Sequence, residues 1–269
     1  MVFFCIAVMQ YLFYMLSSIE ILILSLIQGI FEFLPVSSAA HLIFISEYFK
    51  FNNQNILIDL CLHLGSLIAI IIYFRDDLFN FIQNRNFLIK ILIGTIPIIP
   101  FGYILYNTGL IFSLRNLEVI AWMSLIFSFL LYVSDKVKIE KKIEDHFTIK
   151  SAVIIGIFQV ISLIPGVSRS GITITAGRIL GFNRFDAAKI SFMLSVPTLA
   201  TASFLGVYNI YQEGSAELNF LAITAIIFSA IFSYLTIAIF LNFIKKFTLN
   251  IFIIYRVILS LSLLGIIYL

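Results

Sequence analysis

Charge is what this sequence has least of. Lys, Arg, Asp and Glu make up 12% of its 269 residues and hydrophobic residues 61%, and the mean hydropathy is +1.09. Soluble domains are about a quarter charged and about half apolar. A globule of this length cannot bury such an excess in one core. The charges nearly cancel, at a net +3, too small and too dispersed a balance for a nucleic-acid surface. Cysteine is scarce too: Cys5 and Cys61 stand alone in apolar runs, which excludes a disulfide scaffold, a redox pair or a cysteine metal site. The 13 glycines follow no period, against a collagen-like chain, and 29 phenylalanines exclude disorder. These absences leave a polytopic membrane protein.

A bilayer core takes about 20 apolar residues of helix. Six segments meet that length: 56–74, 88–106, 117–133, 190–211, 218–241 and 251–268. The basic residues concentrate in alternate connections: 75–86, 134–150, 184–189 and 242–250. Residues 107–116 have Arg115 alone, and 212–217 have Glu213 and Glu217 with no cation. The positive-inside rule makes the first group cytoplasmic and the second external, with the C-terminus outside.

Two further apolar stretches, 18–50 and 151–183, are interrupted by proline and small polar residues: Leu34-Pro35-Val36-Ser37-Ser38 in one, Pro165-Gly166-Val167-Ser168-Arg169-Ser170-Gly171 in the other. The charge pattern requires each to enter and leave on one face. Non-helical backbone survives at membrane depth only inside protein or along a wet cavity, so both read as re-entrant helical hairpins. They also echo each other, Gly29-Ile30-Phe31-Glu32 in Gly156-Ile157-Phe158-Gln159. A hairpin plus three spans, repeated, gives halves at about 18–133 and 151–268, the second inverted because three is odd. The expected fold is all-α, with six transmembrane helices and two re-entrant helical hairpins in an inverted-topology repeat. It forms a single integral membrane domain over 1–269, with residues 1–16 as an extension of no assigned role.

Polar groups at membrane depth are expensive and point to function. Gln28 and Glu32 are four apart, on one side of the first hairpin helix; their alternative is to bond the facing hairpin's backbone. His41 is either a structural donor or, beside Ser37, Ser38 and Glu32, part of a site. In the second break Gly166 and Gly171 permit tight turns that expose N–H groups. Ser168, Ser170 and Thr173 add hydroxyls there. Arg169, far from the charged loops, adds a fork suited to phosphate at the start of a helix. Asp59 and His63 share a face of the first span as outer support or as a structural pair. Arg178 lies between Gly177 and Gly181 in a close-packing pattern, His146 lies in a basic loop, and Pro97, Pro100 and Pro197 kink spans. A nucleophile, a carboxylate, an imidazole and an anion clamp are the parts for phosphoryl transfer. Inside a membrane they suit a lipid (pyro)phosphate hydrolase or a lipid-phosphate carrier.

The run from Gln28 to His41, Gln-Gly-Ile-Phe-Glu-Phe-Leu-Pro-Val-Ser-Ser-Ala-Ala-His, resembles the first signature of the bacterial undecaprenyl-diphosphate phosphatases of the bacitracin-resistance type. Pro165 to Thr173 resembles their second, Pro-Gly-x-Ser-Arg-Ser-x-x-Thr, and the likeness extends over about 18–268. It implies hydrolysis of undecaprenyl diphosphate to undecaprenyl phosphate and inorganic phosphate, which recycles the lipid carrier of peptidoglycan and other envelope polymers and confers bacitracin resistance. The partner it implies is a polyprenyl diphosphate lipid in the bacterial inner membrane, with the site toward the outer, periplasmic face. It also implies a divalent cation, Mg2+ or Ca2+. By motif position, the implied catalytic set is Glu32, Ser38, His41 and Arg169, with Glu32 also a metal or water ligand. Gln28, Ser37, Gly166, Ser168, Ser170 and Thr173 fall at substrate-binding positions. Many relatives carry Glu where Gln28 stands. The nucleophile, Ser38 or His41, and a homodimer are left open. With histidine only at 41, 63 and 146, the signatures of type-2 phosphatidic acid phosphatases are missing. The other rival is a polyprenyl-phosphate transporter or flippase, which needs Arg169 to bind but no nucleophile.

Overall fold

A computed structural model describes residues 18–51, 56–213 and 216–269; the expected extension at 1–16 lies outside them. The described chain is helical. Helix α1 is Ser18–Phe31, α2 Ser38–Phe49, α3 Ile56–Tyr73, α4 Arg75–Phe79, α5 Phe81–Thr95, α6 Ile98–Asn107 and α7 Leu110–Leu114. Then come α8 Leu117–Asp135, α9 Ile143–His146, α10 Ile149–Ile161, α11 Arg169–Ile179, α12 Arg184–Glu213, α13 Ala216–Ile244 and α14 Asn250–Tyr268. Among the described residues five segments are long and apolar enough to cross a bilayer: Ile82–Asn107, Leu117–Asp135, Arg184–Phe204, Phe220–Ile244 and Asn250–Tyr268. The first expected span is α3, 18 residues and near the lower limit. This is an all-α, polytopic membrane protein.

Two boundaries differ from expectation for physical reasons. The span expected at 88–106 is two helices, because Pro97 has no N–H to continue the ladder and the chain tightens there (Ile96 N to Ile93 O, Ile99 N to Ile96 O, both 3.2 Å). Helix α12 begins at Arg184 rather than 190, with Asn183 Oδ1 accepting from the Asp186 N–H at 2.8 Å. Pro197 stays inside α12 without ending it.

The bundle buries an apolar core together with many polar side chains, and its outer surface is apolar, as a lipid solvent requires. Ser25, Ser66, Ser229 and Ser233 are fully buried, whereas Phe129 and Ile239 are each 68% exposed. Ser66 bonds Ser233 at 2.9 Å, and Ser229 donates to Leu62 O at 2.7 Å, tying α3 to α13. Helix α3 also packs on α12, α5 on α10 and α12, and α8 on α14.

The basic connections gather at one end. Buried Asp135 accepts both Nε and Nη2 of Arg184, at 2.7 and 3.1 Å, and the Leu249 N–H at 3.3 Å. Lys189 pairs with Asp77 at 2.7 Å, and Lys141 N donates to Gly181 O at 2.8 Å. Arg178, read from sequence as part of a packing stripe, is buried there and donates to Phe182 O and Val137 O. The opposite end holds the Arg115–Asp59 pair, at 2.8 Å. Helices α10 and α11 start and finish at the basic end, whereas α2 finishes at the end where α3 begins. The two broken helix pairs thus enter from opposite ends, and their breaks meet in the middle.

Close approach of backbones sets the second pair's position. A Cβ on Gly156 of α10 would collide with the carbonyl oxygen of Gly94 in α5, whereas one on Gly102 would meet only Leu163 Cδ2 at 3.8 Å. Gly156→Val should therefore cost on the order of 1–3 kcal/mol through forced separation of α5 and α10, and Gly102→Ala close to nothing. Thermal unfolding of both variants in detergent checks this; equal midpoints would contradict the packing.

Candidate active site

The two breaks are built alike. Helix α1 makes one more turn, Glu32 N to Gln28 O at 2.9 Å, before Pro35 stops it. Ser37 then sits at φ +82° and caps α2, its Oγ accepting from Ala40 N at 3.4 Å. Helix α10 winds down through three tight turns at Ser162, Leu163 and Ile164, and Gly166 turns the chain at φ +92°. Ser168, at φ +72°, caps α11 through Gly171 N at 3.1 Å. With Lys50, the two serines are the non-glycine residues of positive φ among the described residues. Such backbone costs about 1–3 kcal/mol per residue and collects at functional sites. Each serine opens a helix whose first N–H groups have no partner within the helix.

Both helix starts open on one cavity of about 200 Å3, lined by Glu32, Ser37, Ser38, His63, Gly166, Ser168 and Arg169 on its polar side and by Ile98, Leu163, Ile164 and Leu199 among its apolar walls. Glu32, 6% exposed, is the hub. Its Oε1 accepts from Arg169 Nη2 at 2.8 Å; its Oε2 accepts from the Ser38 hydroxyl at 2.7 Å and from Gln28 Nε2 at 3.0 Å. Arg169 keeps a second, buried donor, Nη1, with no partner. A desolvated carboxylate is stable only when paired and hydrogen-bonded, and all three partners are present.

The other predicted residues lie behind this surface. Gln28 is fully buried and orients Glu32. Ser170 Oγ donates across the hairpins to Leu34 O at 2.7 Å. Thr173 Oγ1 bonds Ser191 Oγ at 2.6 Å and its own helix at Arg169 O. His41 does not face the cavity. Its Nδ1–H donates to Ser37 O and its Nε2 accepts from Tyr255 OH, both at 2.7 Å, with the Phe31 ring stacked 3.8 Å away.

The imidazole on the cavity wall is that of His63. Its Nδ1–H donates to Asp59 O at 2.6 Å, which turns Nε2 toward Glu32 Oε2, 3.8 Å away. From sequence His63 reads as outer support or as half of a structural pair with Asp59, because nothing in its own neighbourhood reveals that α3 passes the first break. Sequence reasoning missed Arg256 altogether, although a cation in the middle of the apolar run 251–268 was the signal to follow. The described residues contain no group of three or more His, Cys, Asp and Glu able to hold a metal.

The bundle defines a polytopic membrane protein with a guanidinium, two helix N-termini and a hydroxyl around one cavity, the donor types that suit an anion. Comparison with known proteins narrows the class. Residues 21–262 match the family model described as bacitracin resistance protein BacA. A protein of Pelagibacter ubique (strain HTCC1062) named undecaprenyl-diphosphatase is 51% identical over 251 residues, covering 93% of this chain and 98% of that protein. Proteins of the same name from Hahella chejuensis and Saccharophagus degradans are each 38% identical, over 91% of this chain and 97% and 96% of their own lengths. The chain belongs to the bacitracin resistance protein BacA family.

The Glu32–Arg169 pair, bridging residues 137 apart in sequence, should be energetically coupled. In a cycle of Glu32→Gln, Arg169→Met and the double variant, the double should lose less thermal stability than the sum of the singles. The expected coupling is about 0.5–3 kcal/mol; simple additivity would show that the ions do not support each other.

Proposed function

We propose that this chain hydrolyses undecaprenyl diphosphate to undecaprenyl phosphate and inorganic phosphate, as its relatives' name describes. The observation that carries the reading is the line Ser38 Oγ, Glu32, Arg169, with contacts of 2.7 and 2.8 Å. In this reading Ser38 Oγ attacks the terminal phosphorus and its proton passes to Glu32 Oε2. The bond from that phosphorus to the bridging oxygen breaks, and undecaprenyl phosphate leaves with the electron pair. Protonation of Glu32 releases the guanidinium from its ion pair just as charge builds on the phosphoryl oxygens. The N–H groups at the starts of α2 and α11 add fixed donors. Water then attacks the phosphoserine phosphorus, the bond to Ser38 Oγ breaks, that oxygen takes up one of the water's protons, and inorganic phosphate leaves; Glu32 returns its proton to solvent and re-forms the carboxylate. The apolar walls from α6 and α12 suit the first isoprenes of the tail.

The donor set fits a divalent cation only as a companion of the substrate. Mg2+ is commonly held by one or two carboxylates together with phosphate oxygens, and Glu32, with His63 beside it, is what the chain offers. A bound Mg2+ or Ca2+ would neutralise the diphosphate.

Several features support the setting of this reaction. Basic residues at one end favour the bacterial inner membrane with that end in the cytoplasm. The cavity takes His63 from the half of α3 nearer the opposite, outer end, and Thr198, Leu199 and Ala202 from the middle of α12. The hairpins' opposite entries, and the pairing of α3 with α13 as of α12 with α5, support an inverted repeat within a single domain. The paired architecture equally favours a polyprenyl-phosphate transporter as a second reading.

Purified protein should release phosphate from a polyprenyl diphosphate in detergent, and EDTA should abolish the release. Ser38→Ala should lower kcat by 10²-fold or more, about what a lost nucleophile or positioned proton partner costs, while still binding the lipid. Unchanged release in Ser38→Ala would remove Ser38 as nucleophile; binding without release by the wild type would favour the carrier. Because His63 lines the cavity and both nitrogens of His41 are engaged elsewhere, His63→Gln should act on kcat directly. His41→Gln should act by loosening the first break. In the phosphate-release assay at several temperatures, the His41→Gln deficit should grow with temperature and the His63→Gln deficit should not. The reverse pattern would return the catalytic imidazole to His41.

A further inference from the structure

Helix α14 carries a buried cation that the reaction above does not use. Arg256 is fully buried. Its Nη1 donates to Pro35 O at 3.2 Å and its Nη2 to Gly166 O and Val167 O at 3.0 and 3.1 Å; Nε has no partner. Among the described residues no carboxylate lies within ion-pair distance of it. A guanidinium buried without a counter-ion costs several kcal/mol, and carbonyl bonds offset only part. Its three acceptors belong to the two helix breaks and to nothing else.

The consequence follows from peptide geometry. In a planar trans peptide the C=O and the following N–H point in opposite directions. Drawing the Val167 carbonyl back onto Arg256 turns the Ser168 N–H away from the guanidinium, in a turn whose Gly166 and Ser168 line the cavity. A side chain at Gly171 would meet Arg256 Nη1 at 2.9 Å, so the start of α11 is seated directly on the guanidinium. The preceding residue, Tyr255, serves the first break, through its bond to His41 and that of His41 to Ser37 O. Adjacent residues of one helix therefore hold the backbone at both strained serine caps.

We propose that Tyr255 and Arg256 form the positioning element of this site, with Arg256 the principal residue. They set the starts of α2 and α11 against each other so that both sets of N–H groups converge on one anion. The kinetic part of the test rests on the hydrolase reading; the structural part does not. The variants are Arg256→Met, Arg256→Lys and Tyr255→Phe in the full chain in detergent, measured by amide hydrogen exchange and by phosphate release from a polyprenyl diphosphate.

In Arg256→Met, exchange should rise at residues 34–41 and 165–171 while α5 and α13 keep wild-type protection. The kcat should fall about 10²-fold, the scale of a roughly 1 Å misplacement of catalytic groups, with a smaller change in KM. Arg256→Lys should recover part of the loss, since an ammonium reaches some of the carbonyls but lacks the planar fork. Tyr255→Phe should loosen 34–41 more than 165–171. Wild-type exchange at both breaks together with wild-type kcat in Arg256→Met would overturn the proposal, and so would a uniform rise across all helices, the mark of general packing. If Arg256→Met does not fold, Arg256→Gln, which keeps two N–H donors without the charge, carries the same two outcomes. Failure of the wild type to release phosphate would defeat the hydrolase reading, and the exchange data would still decide the positioning role.

Discussion

A helix broken inside a bilayer leaves N–H and C=O groups that no water can take, and each left bare costs several kcal/mol. The rest of this architecture answers that constraint. Two breaks are brought face to face so that each serves the other, with Ser170 donating to Leu34 O, Arg169 pairing with Glu32 and Arg256 spanning both. What the breaks do not consume includes the first N–H groups of α2 and α11, beside the cavity that Ser37, Ser38, Ser168 and Arg169 line. Polarity that would be a liability elsewhere in the membrane is gathered around one cavity.

The same logic explains which polar residues face the cavity and which stand behind it. Ser170 and His41 satisfy carbonyls at the first break, Gln28 holds the Glu32 carboxylate, and Thr173 ties the start of α11 to Ser191 of α12. A signature motif mixes these two kinds of residue because both are needed wherever the backbone is broken. Position within the motif does not separate them; distance to the cavity does. His63 makes the point from the other side, lying outside both motifs and yet 3.8 Å from the central carboxylate.

Outside the site, small residues and buried hydroxyls pack beside a large apolar core. Gly94 on Gly156 and the serines between α3 and α13 let helices approach where lipid gives them no hydrophobic reason to associate. Asp135 gathers Arg184 and the start of α14 at the basic end. The last helix is thereby anchored at one end and carries Tyr255 and Arg256 into the centre.

Much of this was legible in the chain itself. Hydropathy, charge alternation and the two proline-interrupted stretches determine an all-α membrane bundle with two broken hairpins, because those properties are local and the bilayer's demands are strict. Glu32, Ser38 and Arg169 were legible as well, since a polar group amid apolar residues is expensive wherever the chain goes. The division of 88–106 at Pro97 was only half visible: proline marks where a helix can break, and Pro197 shows that it need not. Tertiary structure alone decided that His63 and not His41 meets the cavity, that Asp59 belongs to Arg115, and that Arg256 reaches both breaks at once. Those facts depend on which helices pass each other, and no spacing along the chain records a contact between residues 221 apart.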